Sequence, residues 1–274
     1  MVRRTRFFPL IVAILIAPVF ASKVTTSPSR SSDQVQINPP AVRHSEPPAA
    51  SASVEELEAR GDQLRMEKYY LDALDYLRAA SAKNPNSPRI YNKAGICELL
   101  IQRFRDAQKD FEHSMKLDHQ FADAYNNLGV VYYEWRKYGK AIKEYEKAIH
   151  LNPDAASYYS NLGAAYYSKK EWENASAAYS HALQLDPEIF QRTSHAGVSA
   201  QLPSPEERAR FDFMLARLYA KSGDADHSLQ YLRRAMEEGY KGIDDVYKDS
   251  EFVGLRTDAR FTQLMASRPP AISE

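Results

Sequence analysis

Cysteine is almost absent from this chain. Cys97 stands alone among 274 residues, so no internal disulfide staples the fold and no thiolate cluster can hold a metal. Net charge is absent too. The 36 Lys and Arg residues balance 36 Asp and Glu, and the bases form no sequence cluster of the kind that displaces counterions from a phosphate backbone, so no nucleic-acid partner is expected. Short catalytic signatures are missing as well. There is no Gly-x-Ser-x-Gly elbow and no phosphate-cradling glycine loop, and His44, His113, His119, His150, His181, His195 and His227 include no His-Glu-x-x-His pair. No catalytic, cofactor-binding or metal-binding residue is predicted, and the chain reads as a non-enzyme.

Long apolar runs are confined to one place. Arg3, Arg4 and Arg6 precede an apolar run over residues 7–20, and Val19-Phe20-Ala21 sets compact residues three and one before a cut, the pattern of a secretory signal peptide. With Pro9 and Pro18 inside it, the run falls short of the roughly 20 apolar residues that a spanning helix needs. Residues 1–21 are therefore expected to be removed, with retention as an anchor the alternative, and the protein is expected to be periplasmic or secreted. Membrane contact is predicted only if the segment stays uncleaved. Loss of the three arginines leaves 33 bases against 36 acids. Residues 22–52 hold Pro28, Pro39, Pro40, Pro47 and Pro48, many Ser and few apolar side chains, the composition of a disordered tether.

What the chain has in abundance is repetition. Residues 122–155 and 156–189 are near-copies at a spacing of 34, and the same register extends upstream to 88–121 and 54–87 and, after an interruption over 190–208, downstream to 209–242. Within each unit, positions 4, 7, 8 and 11 share one face of a first helix and positions 20, 24 and 27 one face of a second, because offsets of three and four follow the helical turn. Position 8 is small (Gly61, Gly95, Gly129, Gly163, Ala216) and so is position 20 (Ala73, Ala107, Ala141, Ala175, Ser228), which predicts close helix approach. Position 24 (Leu77, Phe111, Tyr145, Tyr179, Leu232) and position 17 (Tyr70, Phe104, Tyr138, Trp172) are large and fill the core between repeats. Ser53-Val-Glu-Glu56 and Ser204-Pro-Glu-Glu207 read as capping boxes that start the first and fifth units. Cys97, inside a first helix, reads as a small hydrophobe.

A 34-residue period carrying Leu-Gly-x-x-Tyr, then Ala, an aromatic and Pro resembles the tetratricopeptide repeat family. The resemblance implies an all-α fold, a right-handed superhelical solenoid of about five hairpins. Residues 243–266, with Ile243, Val246, Tyr247, Phe252, Leu255, Phe261 and Leu264, are expected to cap the last repeat's apolar face.

In that family positions 2, 5, 9 and 12 of the first helices line a concave groove. Here the stripe runs from Glu55, Glu58, Asp62 and Arg65 through Arg89, Asn92, Ile96 and Leu99, then Asp123, Asn126, Val130 and Tyr133, to Ser157, Ser160, Ala164 and Tyr167, and ends at Arg210, Phe213, Arg217 and Ala220. The resemblance makes this an acidic-to-basic groove for a protein or peptide. Tyr133 and Tyr167 are its expected aromatic anchors, and Asn127 and Asn161 at position 6, with Asn92 and Asn126, hold a peptide backbone. Arg89 and Arg217 complete the expected binding set. The family's clamp for chaperone carboxy-termini is not matched, since Glu58, Asp62, Lys93, Asp123 and Asn127 in one register, and Asn92, Ile96, Asn127, Ser157 and Asn161 in the next, do not supply its cations. The expected function is a non-catalytic interaction scaffold. The alternative is an accessory subunit of a cell-envelope assembly or cell-wall enzyme complex that uses the convex face and the tail.

Overall fold

A computed structural model describes residues 43–191 and 204–271. The expected signal peptide, the first part of the tether and most of the insertion, over 192–203, lie outside the described residues.

Five helical hairpins follow one another: α1 (Val54–Met66) with α2 (Tyr70–Lys83), α3 (Pro88–Leu100) with α4 (Phe104–Leu117), α5 (Ala122–Glu134) with α6 (Tyr138–Leu151), α7 (Ala156–Ser168) with α8 (Trp172–Leu185), and α9 (Pro205–Ser222) with α10 (Ala225–Glu237). Local chemistry sets their starts. At Ser53 the side chain accepts from the Glu56 amide at 3.1 Å while the Ser53 amide donates to the Glu56 carboxylate at 2.8 Å. At Ser204 only the first half of the device forms: the Glu207 amide donates to Ser204 Oγ at 3.2 Å, but Glu207 Oε2 is buried with no partner among the described residues. Each hairpin turns on one left-handed residue, Lys68, Gln102, Arg136 and Lys170 in the first four and Gly223 in the fifth.

Close approach explains the small position 8. A Cβ on Gly95, Gly129 or Gly163 would stand 2.6, 2.5 or 2.7 Å from a ring carbon of Phe111, Tyr145 or Tyr179, so glycine lets the first helix rest on the second helix's ring. Successive repeats then stack in register: Asn127 donates to Asn92 and Asn161 to Asn126, each pair 35 residues apart, which makes equivalent positions on consecutive first helices neighbours. The array ends in three 3-10 turns (Ile243–Tyr247, Ser250–Phe252, Leu255–Thr257) and α11 (Ala259–Ser267), and Ile243, Val246, Phe252, Leu255, Phe261 and Leu264 bury against the fifth hairpin. Tyr247 does not join them. A 3-10 turn superposes residues three apart, so Ile243 and Val246 point inward and Tyr247 is left 50% exposed.

The tether's last ten residues differ from expectation. Residues 43–52 lie on the first hairpin, where the His44 and Ser45 amides both donate to Asp72 Oδ1 at 2.9 Å, Tyr76 donates to the Glu46 carbonyl at 2.9 Å and the His44 ring stacks on Tyr69. Polar contacts to Asp72 and Tyr76 of α2 hold this stretch, with Ala52 packed on the Leu57, Ala80 and Ile90 cluster. Among the described residues no helix is long and apolar enough to cross a membrane.

Candidate functional site

The first four repeats form a groove of about 440 Å³ lined by Arg65 and Met66 from α1, Lys68 and Tyr70 at the turn into α2, Asn92, Ile96, Leu99 and Leu100 from α3, Asp123, Asn126, Asn127 and Val130 from α5, and Ser157 and Tyr158 from α7. Eight of these fourteen, Arg65, Asn92, Ile96, Leu99, Asp123, Asn126, Val130 and Ser157, belong to the stripe expected at positions 2, 5, 9 and 12. Across its floor runs a relay of side-chain amides. Asn161 donates to Asn126 at 2.8 Å, Asn126 to Asn127 at 3.1 Å and Asn127 to Asn92 at 2.9 Å, joining α7, α5 and α3. The asparagines therefore hold one another. Asn92, Asn126 and Asn161 are buried, and Asn127 is the half-buried member of the set, which corrects the expectation that all four face a peptide.

Tyr133 and Tyr167 are corrected more sharply. Both are buried: the Tyr133 hydroxyl is 3.0 Å from Ser168 Oγ and its ring packs on Tyr138, while the Tyr167 hydroxyl donates to the Glu207 carbonyl at 2.8 Å and its ring is boxed by Trp172 and Phe211. The cause is angular. At 3.6 residues per turn, position 12 lies only about 40° around the helix from the core position 8. A large ring there turns toward the aromatic at position 17 of its own hairpin.

The predicted charge gradient is also largely internal. Arg89 Nε pairs with Glu58 at 2.8 Å and Lys93 with Glu58 at 2.7 Å and with Asp62, which neutralises the acidic end. At the basic end Arg217 pairs with Asp249 at 3.3 Å, and Arg210 lies 5.2 Å over the Trp172 ring.

A second groove was not legible. α8 meets α9 along a shorter seam than the other consecutive repeats share, and a cavity of about 370 Å³ opens there between Trp172, Glu173 and Ser176 of α8 and Arg210, Met214 and Arg217 of α9, with Tyr240 behind. The interruption at 190–208 was its only signal. Phe213, expected in the groove, is buried in a stack with Tyr240 at 4.4 Å.

Titratable groups in the interior serve the scaffold. Burial pushes the Cys97 thiol up to about 12, which suits its expected role as a hydrophobe. Burial, then the charge of Asp110, lifts Glu98 to about 7, although Arg78 bonds it at 2.6 Å. Burial lifts Asp212 to about 6 against the pull of Arg234. His113 and His181 pack on Tyr91 and Tyr159, and among the described residues no group of three or more His, Cys, Asp or Glu is placed to hold a metal.

Comparison with known proteins agrees with this architecture. Residues 122–155 and 156–189 each match a family model described as Tetratricopeptide repeat, and residues 211–238 match a second model of that description. No curated protein matches. Similar solved structures include MamA, at 24% identity and a TM-score of 0.46 over 65% of this chain and 93% of that one. TTC0263, a thermophilic TPR protein of Thermus thermophilus, is 20% identical with a TM-score of 0.49 over 78% of this chain and 100% of that one. The first TPR of Spaghetti (RPAP3) bound to the HSP90 peptide SRMEEVD is 19% identical, with a TM-score of 0.38 over 46% of this chain and 92% of that one.

Proposed function

We infer, from the premise that this chain is a tetratricopeptide repeat protein, that it is a non-catalytic scaffold which binds an extended segment or a helix of a partner protein along the α3–α5–α7 groove. One observation carries this reading: Ile96, Leu99 and Val130 stand half-buried between Asp123, Asn127 and Ser157, apolar anchors set among hydrogen-bonding groups. The missing clamp cations speak against a chaperone carboxy-terminus as the ligand. Export rests on the basic start, the short apolar run and the Val-x-Ala site, and a mature amino-terminus at Ser22 in an exported fraction is the expected result.

The test is a photoreactive residue at Val130 in the native host. A discrete protein adduct that disappears with Ile96→Asp is expected, and a protein that captures nothing there defeats the reading. Tyr247 and Val253, 50% and 57% exposed on the tail, favour a second reading as an accessory subunit of an envelope or cell-wall complex. Adducts from Val253 with none from Val130 would select it.

A further inference from the structure

Bases that are scattered in the sequence come together along one edge of the array. Because the repeats stack in register, the turns inside the hairpins line up, and segments 102–105, 136–140 and 168–170 bring Arg103, Arg105, Arg136, Lys137, Lys140 and Lys170 to that edge with no acid among them. All six are exposed. Among the described residues none of the six has an ion-pair partner, whereas Arg89, Lys93, Arg217 and Lys221 on other surfaces do. Lys137 and Lys140 lie instead over the rings of Trp135 and Tyr132, at 4.6 and 5.4 Å. Nearby acids are engaged, Asp106 by Lys109 at 2.9 Å, Glu171 by Lys169 and Glu67 by Gln63 at 2.8 Å, while Glu134 stands exposed. On the opposite edge the loops between repeats carry Asp118, Asp154, Asp186 and Glu188, with Lys116 and Lys83 against them, Lys83 donating to the Ala50 and Ala52 carbonyls. A chain of zero net charge is thus polarised from edge to edge.

The basic edge is also apolar. Met66 is 75% exposed, Leu100 40% and Tyr69 39%, and Trp135 shares a hollow with Arg105, Gln108, Lys109, Glu112 and Lys137. Met66 and Leu100 stand at the lip where the α3–α5–α7 groove opens onto this edge. At this edge Arg43 pairs with Asp75 at 3.0 Å and His44 stacks on Tyr69 at 4.5 Å.

We propose that this edge docks on an anionic lipid surface. Cations recurring in the turns of three consecutive repeats suit a field of mobile phosphates, and Tyr, Trp, Met and Leu along the same edge suit the interfacial depth of a bilayer. An acidic polypeptide would satisfy the cations and leave the exposed apolar groups without a role. Contact is through side chains at the edge and leaves the apolar run's fate open.

Vesicle co-sedimentation of the full chain tests it, comparing phosphatidylglycerol-containing with pure phosphatidylcholine vesicles at low and high salt. The edge variant Arg103→Ala, Arg105→Ala, Arg136→Asn, Lys137→Ala keeps a residue that tolerates the left-handed turn at 136 and removes no ion pair. Lys116→Ala, Arg233→Ala, Lys241→Ala, Lys248→Ala is the charge-matched control. At about fivefold per cation near a charged surface, the edge variant should lose on the order of several hundredfold in its preference for anionic vesicles, and the control far less. Equal binding of the intact chain to both vesicle types, or an unchanged edge variant, overturns the proposal by leaving the apolar run as the sole membrane contact. Capture of polyglutamate without vesicle binding overturns it in favour of an acidic polypeptide.

Discussion

The two halves of the array are held by different chemistry. From Tyr133 to Met265 one continuous apolar core runs through the third, fourth and fifth hairpins into the tail, beside one smaller cluster of Ala122, Tyr125, Ala148 and Tyr158, whereas the first two repeats contain only small separate apolar clusters, one of them shared with Leu128 and Val131 of α5. Ionic groups occupy the gaps between those clusters. Arg78 of α2 bonds Glu98 of α3 at 2.6 Å and Asp110 of α4 at 2.6 and 2.8 Å, and Glu58 of α1 holds Arg89 and Lys93 of α3. The backbone plan is the same in both halves, so the 34-residue period constrains helix placement and close approach but not what fills the seam. Since each repeat supports only its neighbours, each half should respond to its own kind of insult.

The largest effect is expected in the apolar half. Tyr145 is fully buried with its ring against Gly129, and Tyr145→Ala should cost about 3–5 kcal/mol, as other large-to-small core truncations do. Hydrogen exchange should show protection lost across α5–α8 and largely kept in α1–α2. Uniform loss along the chain would erase the distinction between halves. Tyr133→Ala and Tyr167→Ala belong to the same class, because those rings are buried as well.

In the ionic half, Arg78→Ala leaves Glu98 and Asp110 buried without their cation. Removing one partner of a buried ion pair costs about 3–5 kcal/mol, and the lower end is expected because the Arg78 side chain is itself 38% exposed. Urea unfolding followed at helices of both halves should place the loss in α2–α4.

Reading the sequence recovered the helix register because its causes are local or strictly periodic. The starts at Val54, Pro88, Ala122 and Ala156, the small position 8 and its ring partner follow from spacing alone. Three features stayed hidden for reasons of distance. The partners of Arg78 lie 20 and 32 residues away, so no local pattern pairs them. Tyr133 and Tyr167 sit where stripe and core adjoin, and periodicity gives a direction around the helix without a depth. The basic edge is made of residues that occur singly or in pairs and meet only after the repeats stack, so a scan for clustered bases passes over it.

pH should separate the halves further. Glu98 is held at about 7 in the fold against an ordinary 4.5, so the folded state keeps its proton longer than the unfolded chain. That contribution is complete below about pH 4.5 and is lost as pH rises through 7. Gln mimics the protonated acid and does not titrate, so Glu98→Gln should gain about 1–3 kcal/mol relative to the parent between pH 5 and pH 8. Urea midpoints at the two pH values measure it. A difference independent of pH would mean that Arg78 keeps Glu98 ionised throughout.

The smallest effect is also a gain, and it lies in the apolar half. The Tyr145 hydroxyl is buried with no hydrogen-bond partner among the described residues, while Phe111 at the equivalent place in the second repeat carries no hydroxyl. An unsatisfied buried polar group costs about 1–3 kcal/mol, so Tyr145→Phe should keep the ring that rests on Gly129 and stabilise the protein by about 1 kcal/mol, allowing for some relaxation around the hydroxyl. Substituting a carboxamide into the ionic seam helps only at high pH, whereas deleting this oxygen should help equally at pH 5 and pH 8, because burial keeps the phenol protonated well above both. A higher melting temperature at both pH values is the expected result. A loss of stability would show that the oxygen is bonded to a buried water and that the aromatic seam is not dry.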